Sequence, residues 1–405
     1  MNNIAREPKV PDSIELGNRS LFDQITATSY LNYAAFTPPS NLIKTTLDHW
    51  FQTYSSLGAG AYILWANQRN RLREKLGLLL GCDKDDIGLG TSTSSLISDI
   101  SLMIDWKKND RVLVFNGDFP SVITPIKSTA SIFDLEIVMH ELKDFYDSPD
   151  IGLERIEKEL KKGLRLIAVS STQFQTGLLL PIKEISLLCK KYGAEIMVDA
   201  AQSAGAIDFN VQEEQIDYLM APTHKWLMGS EGSAILYVHP ESMSKLKFER
   251  RNGWMSFIDG EQFLFGKPNL LRYDLKARKK PSIVEMGMSN SMGFASLEAG
   301  ITCHLHLGMD RIAHHIQILH NRLEEGLTDL GFKSMRTRYK EGRSSVLGML
   351  PPNGYDTPTI FQEMISNKIA ISQPDGYLRF APSWPTNKSE IDHIIDVTKA
   401  FLSKS

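Results

Sequence analysis

The sequence predicts an α/β fold, with a mostly parallel β-sheet that is covered by helices on both faces. Over the first 240 residues, short runs of apolar and β-branched residues alternate with patterns of helical period. Short strands that are separated by helices are typical of parallel sheets. The strand runs cover residues 111–115, 136–139, 164–170, 195–198, 218–220 and 234–238. The helical patterns cover residues 41–54, 66–80, 92–105, 120–132 and 181–191.

The chain after residue 240 has a different texture. Residues 248–289 are irregular and rich in cations, and a long helical pattern follows over 292–330, with a break expected near Gly308. The tail mixes short β-like runs with helical patterns, which indicates a smaller α+β domain. The predicted organisation is an N-terminal arm or small-domain segment over 1–30, a large domain over 31–265, an irregular interface region over 266–295 and a C-terminal small domain over 296–405.

Composition argues against several classes of function. The chain has 405 residues, 42% of them hydrophobic, and a formal net charge of -3, so it can bury a core but has no basic footprint for nucleic acid. No apolar run approaches the roughly 20 residues of a membrane-spanning helix, and the first residues lack the apolar core of a signal peptide. The cysteines and histidines show no metal-ligand spacing. We expect a cytoplasmic protein with a small-molecule substrate and no metal, nucleic acid or membrane.

Two strand ends carry the residues that indicate a chemistry. The apolar run Ile196-Met-Val198 ends on Asp199, and Lys225 follows a second short run and precedes a Gly/Ser-rich turn. An acid and a lysine at neighbouring strand ends can hold pyridoxal phosphate (PLP): the lysine amine forms a Schiff base, and the acid pairs with the protonated pyridine nitrogen. Alone, either residue is more simply a helix cap or a surface lysine. Together, in this order, they favour the cofactor.

Two further segments could complete a PLP site. Gly88-Leu-Gly90-Thr-Ser92-Thr93 opens a helix, whose first N–H groups can bind an anion. Taken alone this is an ordinary capped helix, but beside the first two residues it predicts a phosphate site, with Ser92 and Thr93 best placed. Phe119 follows another strand. Its ring is expected either to stack on the pyridine or to pack in the core.

Near the C-terminus, Arg379 is a cation in the otherwise apolar run Gly376-Tyr-Leu-Arg-Phe380. A buried arginine needs a partner, so it belongs either to a structural ion pair or to a clamp for a substrate carboxylate. We favour the clamp, because a guanidinium can bind both oxygens of a carboxylate at once.

These segments together resemble the class V aminotransferase family of fold-type I PLP enzymes, which includes cysteine desulfurases, kynureninases and isopenicillin-N-epimerase-like proteins. The strongest match is Val198-Asp199-Ala-Ala-Gln202-Ser-Ala-Gly with Thr223-His224-Lys225, and Leu31-Asn32-Tyr-Ala-Ala is similar to the family's opening. The resemblance implies a large domain with a seven-stranded, mostly parallel sheet, a smaller α+β C-terminal domain, and a homodimer with shared active sites.

The resemblance also implies roles for individual residues. Lys225 is the expected Schiff-base lysine and Asp199 the partner of the pyridine nitrogen. The expected cofactor contacts are Ser92, Thr93, Phe119, Gln173, Asp199, Ala201, Gln202, Thr223, His224, Lys225, Ser289 and Asn290. The expected substrate contacts are Asn32, Arg379 and Trp254.

Three departures from the family pattern narrow the expected reaction. Phe174 stands where desulfurases have an asparagine that touches the ring hydroxyl, which leaves Gln173 as an alternative. Met288 replaces the threonine of a loop that reaches the neighbouring subunit's phosphate. No cysteine follows Cys303, so a desulfurase that carries sulfur on a loop thiolate is disfavoured. We expect an aminotransferase. The alternatives are a C–S lyase, a kynureninase-like hydrolase or a catalytically inactive binding protein.

Overall fold

The computed structural model describes residues 7–260, 262–266 and 268–403. Its strands are β1 (Ser29–Tyr30), β2 (Ile87–Gly90), β3 (Arg111–Asn116), β4 (Glu136–Glu141), β5 (Leu166–Ser170), β6 (Glu195–Asp199), β7 (Tyr218–Pro222), β8 (Ala234–Val238), β9 (Lys333–Ser334), β10 (Leu347–Leu350), β11 (Ile369–Ala370) and β12 (Leu378–Phe380). Its helices are α1 (Asn41–Leu57), α2 (Tyr62–Leu80), α3 (Thr93–Met103), α4 (Pro120–Phe133), α5 (Pro149–Leu160), α6 (Ile182–Tyr192), α7 (Pro240–Met243), α8 (Ser291–Leu307), α9 (Met309–Asp329), α10 (Thr357–Ser366) and α11 (Lys388–Leu402).

A seven-stranded sheet organises the large domain, in the order β2-β8-β7-β6-β5-β3-β4. Strands β7, β6, β5, β3 and β4 run parallel, whereas β8 is antiparallel to both of its neighbours. The predicted α/β fold with a mostly parallel sheet is therefore confirmed. Because parallel strands end at the same edge, residues that follow β5, β6 and β7 lie side by side.

Strand β2 is the part of this sheet that the sequence did not predict. Two of its four residues are glycines, which weaken strand propensity. The packing explains them: a Cβ on Gly88 would lie 2.4 Å from the carbonyl oxygen of Pro281, and one on Gly90 would lie 2.5 Å from Leu96.

Both faces of the sheet are buried, because successive side chains of a strand point to opposite faces. In β3, Leu113 and Phe115 pack with helices α2, α5, α6 and α8, while Val112 and Val114 pack with α3 and α4. The two apolar layers fix the register of the strands, since a slip of one residue would exchange the faces.

The smaller domain is built around the three-stranded antiparallel sheet β12-β10-β9, with α9, α10 and α11 packed on it. Strand β1 pairs with β11, so the N-terminal segment joins this domain. The predicted long helix is broken at Gly308, where φ is 84°, as expected. Helix α8 packs with the large sheet through Phe294 and Leu297, so the predicted boundary at residue 296 falls inside that helix, and the packing changes at Gly308.

No helix in residues 7–260, 262–266 and 268–403 is both long enough and apolar enough to span a bilayer.

Candidate active site

Asp199 and Lys225 are brought together by adjacent parallel strands. Asp199 is the last residue of β6, and Lys225 lies three residues beyond the end of β7. The Asp199 carboxylate is buried, and its Oδ1 accepts a hydrogen bond from the Ala201 N–H at 2.8 Å. Lys225 sits in a turn that is closed by the Gly229 N–H, which donates to the Thr223 carbonyl at 2.7 Å. The strand ends therefore hold both groups on fixed backbone.

Burial moves the two pKa values toward each other. It raises the pKa of Asp199 to about 7 and lowers the pKa of Lys225 to about 8, while the charge of Asp199 partly restores the latter and that of Arg379 lowers it further. Desolvation disfavours whichever form is charged, so it acts in opposite directions on an acid and an amine. Near neutral pH a fraction of Lys225 is thus the neutral amine, which is the nucleophilic form.

Thr37 fixes the backbone that carries the lysine. Its N–H donates to the carbonyl of His224 at 2.8 Å, and its hydroxyl donates to the carbonyl of Lys225 at 2.6 Å. Sequence reasoning did not select Thr37, because it lies 188 residues away in the chain and belongs to no recognisable pattern.

Phe119 and Phe174 form an aromatic wall over the lysine. The Lys225 Nζ lies 5.5 Å from the centroid of the Phe119 ring, and the two phenylalanine rings meet edge to face at 5.1 Å. The buried carboxylate of Asp118 holds the Phe119 loop against β5, since it accepts the N–H of Phe119 at 2.6 Å and the N–H of Ser170 at 2.9 Å. Asp118 was also missed in the sequence, where it looked like an ordinary loop residue.

The cleft between these groups is narrow, with a volume of about 10 Å³. Phe119, which forms one wall of the cleft, is 39% exposed. The residues that line it are Phe119, Ser170, Thr172, Phe174, Asp199, Ala201, Gln202 and Lys225.

A much larger cavity, of about 960 Å³, lies on the face of the sheet that is covered by α5 and α6. Glu184, Glu213 and Glu214 line it, and Lys225 does not. Size alone is the usual first indication of a ligand site, but the lysine and the buried acid both line the narrow cleft, and the buried Arg379 donates to the carbonyl of Phe174, which also lines it.

The predicted phosphate site lies at the start of α3. Ser92 is the N-cap of this helix, and its hydroxyl accepts the Ser95 N–H at 3.1 Å. The Thr93 hydroxyl is buried and has no hydrogen-bond partner among the described residues, so it can serve a ligand. The Thr223 hydroxyl, in contrast, donates to the Ser230 carbonyl at 2.5 Å. The His224 ring packs against Phe36 at 5.6 Å, and burial lowers its pKa.

Gln173 and Gln202, the two glutamines that were expected to contact the cofactor ring, differ in whether they have a hydrogen-bonding group left for a ligand. The Gln173 Oε1 accepts from the N–H groups of Gln175 and Thr176, and its Nε2 donates to the Gly117 carbonyl and the Gln175 side chain. That amide is engaged within its own loop, and Gln173 does not line the cleft. Gln202, in contrast, lines the cleft. Its Oε1 accepts a hydrogen bond from Trp226 Nε1 at 2.8 Å, and one N–H of its Nε2 donates to the Ala34 carbonyl at 3.0 Å. The second N–H of Nε2 remains available to a ligand.

The predicted substrate residues fall in two places. Arg379 lies on β12, where its Nε donates to the Ser372 hydroxyl at 2.9 Å and its Nη1 to the Phe174 carbonyl at 3.0 Å. The Asn32 Oδ1 is buried and has no partner in the described part of the chain, and its backbone bridges to Ala381 next to β12. Trp254 is not in the cleft. Its ring contacts Phe263, 6.1 Å away.

Ser289 and Asn290 also lie outside the cleft. They line a separate cavity of about 260 Å³ together with Gly90, Thr91 and Ser95. Asn290 caps helix α8, since its Oδ1 accepts the Gly293 N–H at 3.0 Å and its Nδ2 donates to the Gly232 carbonyl at 3.0 Å. These two residues are thus next to the β2–α3 turn, and their expected contact with the phosphate of the neighbouring subunit stays a prediction.

A family model described as aminotransferase class-V matches residues 30–377. The chain belongs to the class V aminotransferase family. A probable cysteine desulfurase of Pyrococcus abyssi is 25% identical over 343 residues, which cover 82% of this chain and 81% of the relative. A 2-aminoethylphosphonate–pyruvate transaminase of Bacillus cereus is 22% identical over 276 residues, which cover 68% of this chain and 70% of the relative.

Two solved structures of C-DES share the fold of this class V protein. One, described as a mutant with glycine linked to its PLP cofactor, superposes with a TM-score of 0.84 and 18% identity over 94% of this chain and 98% of that one. The other, described as a cystine C–S lyase in complex with cysteine persulfide, has a TM-score of 0.84 and 19% identity over 93% of this chain and 98% of that one.

This class V enzyme is PLP-dependent, and its side chains fit the cofactor. The buried Asp199 carboxylate faces a lysine with a lowered pKa. Two buried hydroxyls, on Thr93 at the start of α3 and on Thr172 in the cleft, have no partner among the described residues. Unpartnered polar groups are rare in protein interiors, and Thr172 lies where a ligand in the cleft would meet it.

Proposed function

We propose that this enzyme acts on an α-amino acid, with Arg379 as the group that binds the substrate carboxylate. The observation that supports this most is that Arg379 is only 6% exposed and forms no ion pair with any carboxylate of the described residues. Burial lowers its pKa to about 10, yet at neutral pH it keeps its charge. A buried cation that has no carboxylate partner in its own chain can bind the carboxylate of a ligand.

Lys225 is the proposed proton carrier of the reaction. Bound PLP supplies an electron sink that makes the Cα–H bond of the substrate acidic. The Nζ of Lys225, once the substrate amine has displaced it from the cofactor, takes the proton from Cα as a general base. Asp199 stays ionised against the pyridine nitrogen and keeps that nitrogen protonated, and the Phe119–Phe174 wall keeps water away from Cα.

The side chain of the substrate is proposed to be uncharged, and the reaction to be elimination of a sulfur group from Cβ. The cleft is lined by Phe119 and Phe174, and within the described part of the chain Arg379 is the cation whose charge acts on Lys225. Removal of the Cα proton lets the Cβ–S bond break, with its electron pair leaving on sulfur, which takes up a proton. The product that leaves the enzyme is an enamine, which becomes an imine, and one water molecule hydrolyses this imine to a 2-oxo acid and ammonium. The sulfur chemistry described for C-DES and for the Pyrococcus relative supports this choice.

The proposed elimination needs no enzyme thiol, and the cysteines agree with that. None of Cys82, Cys189 and Cys303 lines the cleft. Burial raises the pKa of Cys303 to about 12 and that of Cys82 to about 12, and it raises the pKa of Cys189 as well. Protonated, buried thiols are poor nucleophiles, so sulfur transfer to a cysteine of this chain is not proposed.

Transamination is the second candidate, and it is the reaction that the sequence led us to expect. Lys225 and Asp199 are the two titratable side chains that line the cleft. A single lysine that reaches both Cα and the adjacent cofactor carbon can move the proton between them, which is what a transaminase requires. The transaminase relative from Bacillus cereus supports this candidate.

One experiment separates the two reactions. The purified, PLP-loaded enzyme is incubated with a panel of amino acids, and 2-oxo acid, ammonium and sulfide are measured together with the cofactor spectrum. An eliminating enzyme releases 2-oxo acid, ammonium and the sulfur fragment in equal amounts and keeps its PLP spectrum. A transaminase releases 2-oxo acid without ammonium and converts PLP to pyridoxamine phosphate. Absence of any spectral response to every amino acid would contradict both candidates.

We also propose that the enzyme is a homodimer. Residues of the irregular segment before α8 expose apolar side chains, including Tyr273 at 94% and Met288 at 68%. Exposed apolar surface is often an interface, and closed two-fold dimers are the commonest soluble oligomers. Light scattering of the loaded enzyme at micromolar concentration should give twice the chain mass, and an active species of one chain mass would refute the proposal.

A further inference from the structure

Thr172 is a buried hydroxyl residue at the cleft that neither the sequence nor the proposed function uses. It lies two residues beyond the end of β5, and its backbone bridges to Leu179. Its side chain is 1% exposed, lines the cleft with Asp199 and Lys225, and its Oγ1 has no hydrogen-bond partner among the described residues. Leaving such a group unpaired costs free energy. Of the buried polar atoms without a partner in the described part of the chain, the Thr172 Oγ1 is the one whose residue lines the cleft, where a ligand can supply the partner.

The neighbouring hydroxyls show that this is a property of Thr172 and not of the segment. The Ser170 hydroxyl donates to Asp118 at 2.5 Å. The hydroxyls of Ser171 and Ser203 bond each other at 2.5 Å, and the Thr176 hydroxyl donates to Gln173 at 2.9 Å. Thr172 alone among the hydroxyl residues of 170–176 is left for something that enters the cleft.

The order of the strands indicates which atom of the cofactor it meets. In bound PLP, the pyridine nitrogen is expected to pair with Asp199 at the end of β6. The ring carbon opposite that nitrogen carries the group that is linked to Lys225. The two ring positions beside that carbon carry the phosphate arm and the 3-oxygen, which therefore point to opposite sides. The expected phosphate residues Ser92 and Thr93 follow β2, which lies beyond β7 and β8. Thr172 follows β5, on the other side of β6.

We infer that the Thr172 hydroxyl donates a hydrogen bond to the 3-oxygen of PLP. Phe174, which lies close by in the same loop, has no side-chain donor, and the amide of Gln173 is engaged elsewhere. Gln202 keeps one N–H, so the 3-oxygen can have a second donor. The inference rests on the cofactor and not on the proposed reaction, so it holds equally for elimination and for transamination.

A donor at the 3-oxygen has a spectroscopic consequence. The oxygen carries more negative charge when the nitrogen that joins the cofactor to Lys225 has lost its proton. A hydrogen bond to the oxygen stabilises that form more, and so it lowers the pKa of the nitrogen. Removing the donor should raise this pKa, which is read directly from the absorbance of the bound cofactor against pH, without any substrate.

The test compares Thr172→Val, which keeps the shape and removes the hydroxyl, with Thr172→Ser, which keeps the hydroxyl. For Thr172→Val we expect the absorbance midpoint to rise by about one pH unit and the PLP dissociation constant to increase on the order of tenfold, as for loss of one hydrogen bond to a charged group. Thr172→Ser should keep both the absorbance midpoint and the PLP dissociation constant close to the wild-type values. If Thr172→Val does not fold, Thr172→Ala is expected to behave in the same way.

Ser186→Ala is the matched control, because Ser186 is also fully buried with an unpartnered hydroxyl but lies on α6, outside the cleft. It should change neither readout. A wild-type midpoint and affinity in Thr172→Val would overturn the inference, and so would a Thr172→Ser variant that shifts as far as Thr172→Val, since packing of the methyl would then be responsible. Failure of the wild-type protein to bind PLP would instead contradict the cofactor assignment, and failure of catalysis alone would contradict only the proposed function.

Discussion

Two arginines of the smaller domain are equally buried and have opposite surroundings. Arg336 is 7% exposed and Arg379 is 6% exposed. Arg336 donates to Glu324 at 2.7 Å and to Asn321 at 2.7 Å, and it also bonds Gln317. Arg379 bonds a hydroxyl and a carbonyl and has no acid in the described part of the chain. Burial lowers the pKa of both.

The two arginines differ in whether the chain supplies an acid for the buried charge. Burial alone does not mark a ligand site, because a carboxylate partner from the same chain makes the charge structural, as Glu324 does for Arg336. What marks Arg379 is the missing counter-ion, together with its electrostatic effect on Lys225. If that interpretation is correct, the same substitution at the two positions should have opposite consequences.

The largest expected difference is in catalysis. Arg379→Lys should raise the KM for an α-amino acid steeply, with a loss of roughly 2–5 kcal/mol in transition-state binding if the charge pair is desolvated, because an ammonium cannot make the two parallel bonds of a guanidinium. PLP should stay bound and the protein folded. Steady-state kinetics on the best substrate of the panel measure this.

Arg336→Lys is the control for that prediction. Arg336 does not line the cleft, and its charge is not among those that act on Lys225, whereas that of Arg379 is. For Arg336→Lys, kcat/KM should therefore change little, about twofold or less, as is usual for a site that does not touch the substrate. Equal losses in the two variants would mean that both arginines act through stability, and the assignment of Arg379 to the carboxylate would fail.

For the stability of the fold, we expect the substitution of Arg336 to have the larger effect and that of Arg379 the smaller. Arg336→Met leaves Glu324 without its cation, and we expect the free energy of unfolding to fall by roughly 1–3 kcal/mol, since Glu324 is only partly buried and water compensates in part. Arg379→Met leaves no carboxylate of the described residues without its cation, so the free energy of unfolding should fall by less than in Arg336→Met. Urea denaturation of the two PLP-free variants measures both values, and a larger loss in Arg379→Met would invert the comparison.

The smallest effect concerns pH. The rate at which the PLP-free protein captures the cofactor requires the neutral amine of Lys225, whose pKa is lowered to about 8. The rate should therefore rise with pH and reach its midpoint near pH 8, well below that of an ordinary lysine. Because the charge of Arg379 contributes to this lowering, Arg379→Met should move the midpoint upward, and Arg336→Met should leave it in place. Stopped-flow absorbance between pH 6 and 10 tests this, and a shift in Arg336→Met alone would refute it.

The sequence was informative where local pattern and chemistry coincide. Asp199 ends one apolar run and Lys225 follows another by three residues, so their positions near strand ends could be predicted, and the parallel sheet brings them together. Arg379 could be recognised as a cation in an apolar strand, but the absence of an acid partner depends on tertiary structure. The glycine-containing strand β2 gave no strand signal, because its glycines are required by contacts with Pro281 and Leu96.

Residues that support the site through long-range hydrogen bonds could not be found in the sequence. Thr37, Asp118 and Thr172 lie in ordinary loop segments, and each acquires its role from partners that are distant in the chain or from the lack of one. Gln173 is the opposite case. The sequence suggested that its amide could contact the cofactor, but its Oε1 accepts hydrogen bonds from the N–H groups of Gln175 and Thr176 in the same loop.

Every role proposed for the active site requires that Lys225 is the residue that carries the cofactor. Borohydride reduction of the PLP-loaded enzyme, followed by proteolysis and mass spectrometry, should place the pyridoxyl group on the peptide that contains Lys225, and the Lys225→Ala protein should show no labelled lysine. A pyridoxyl group on another lysine, or unchanged labelling of Lys225→Ala, would contradict the account.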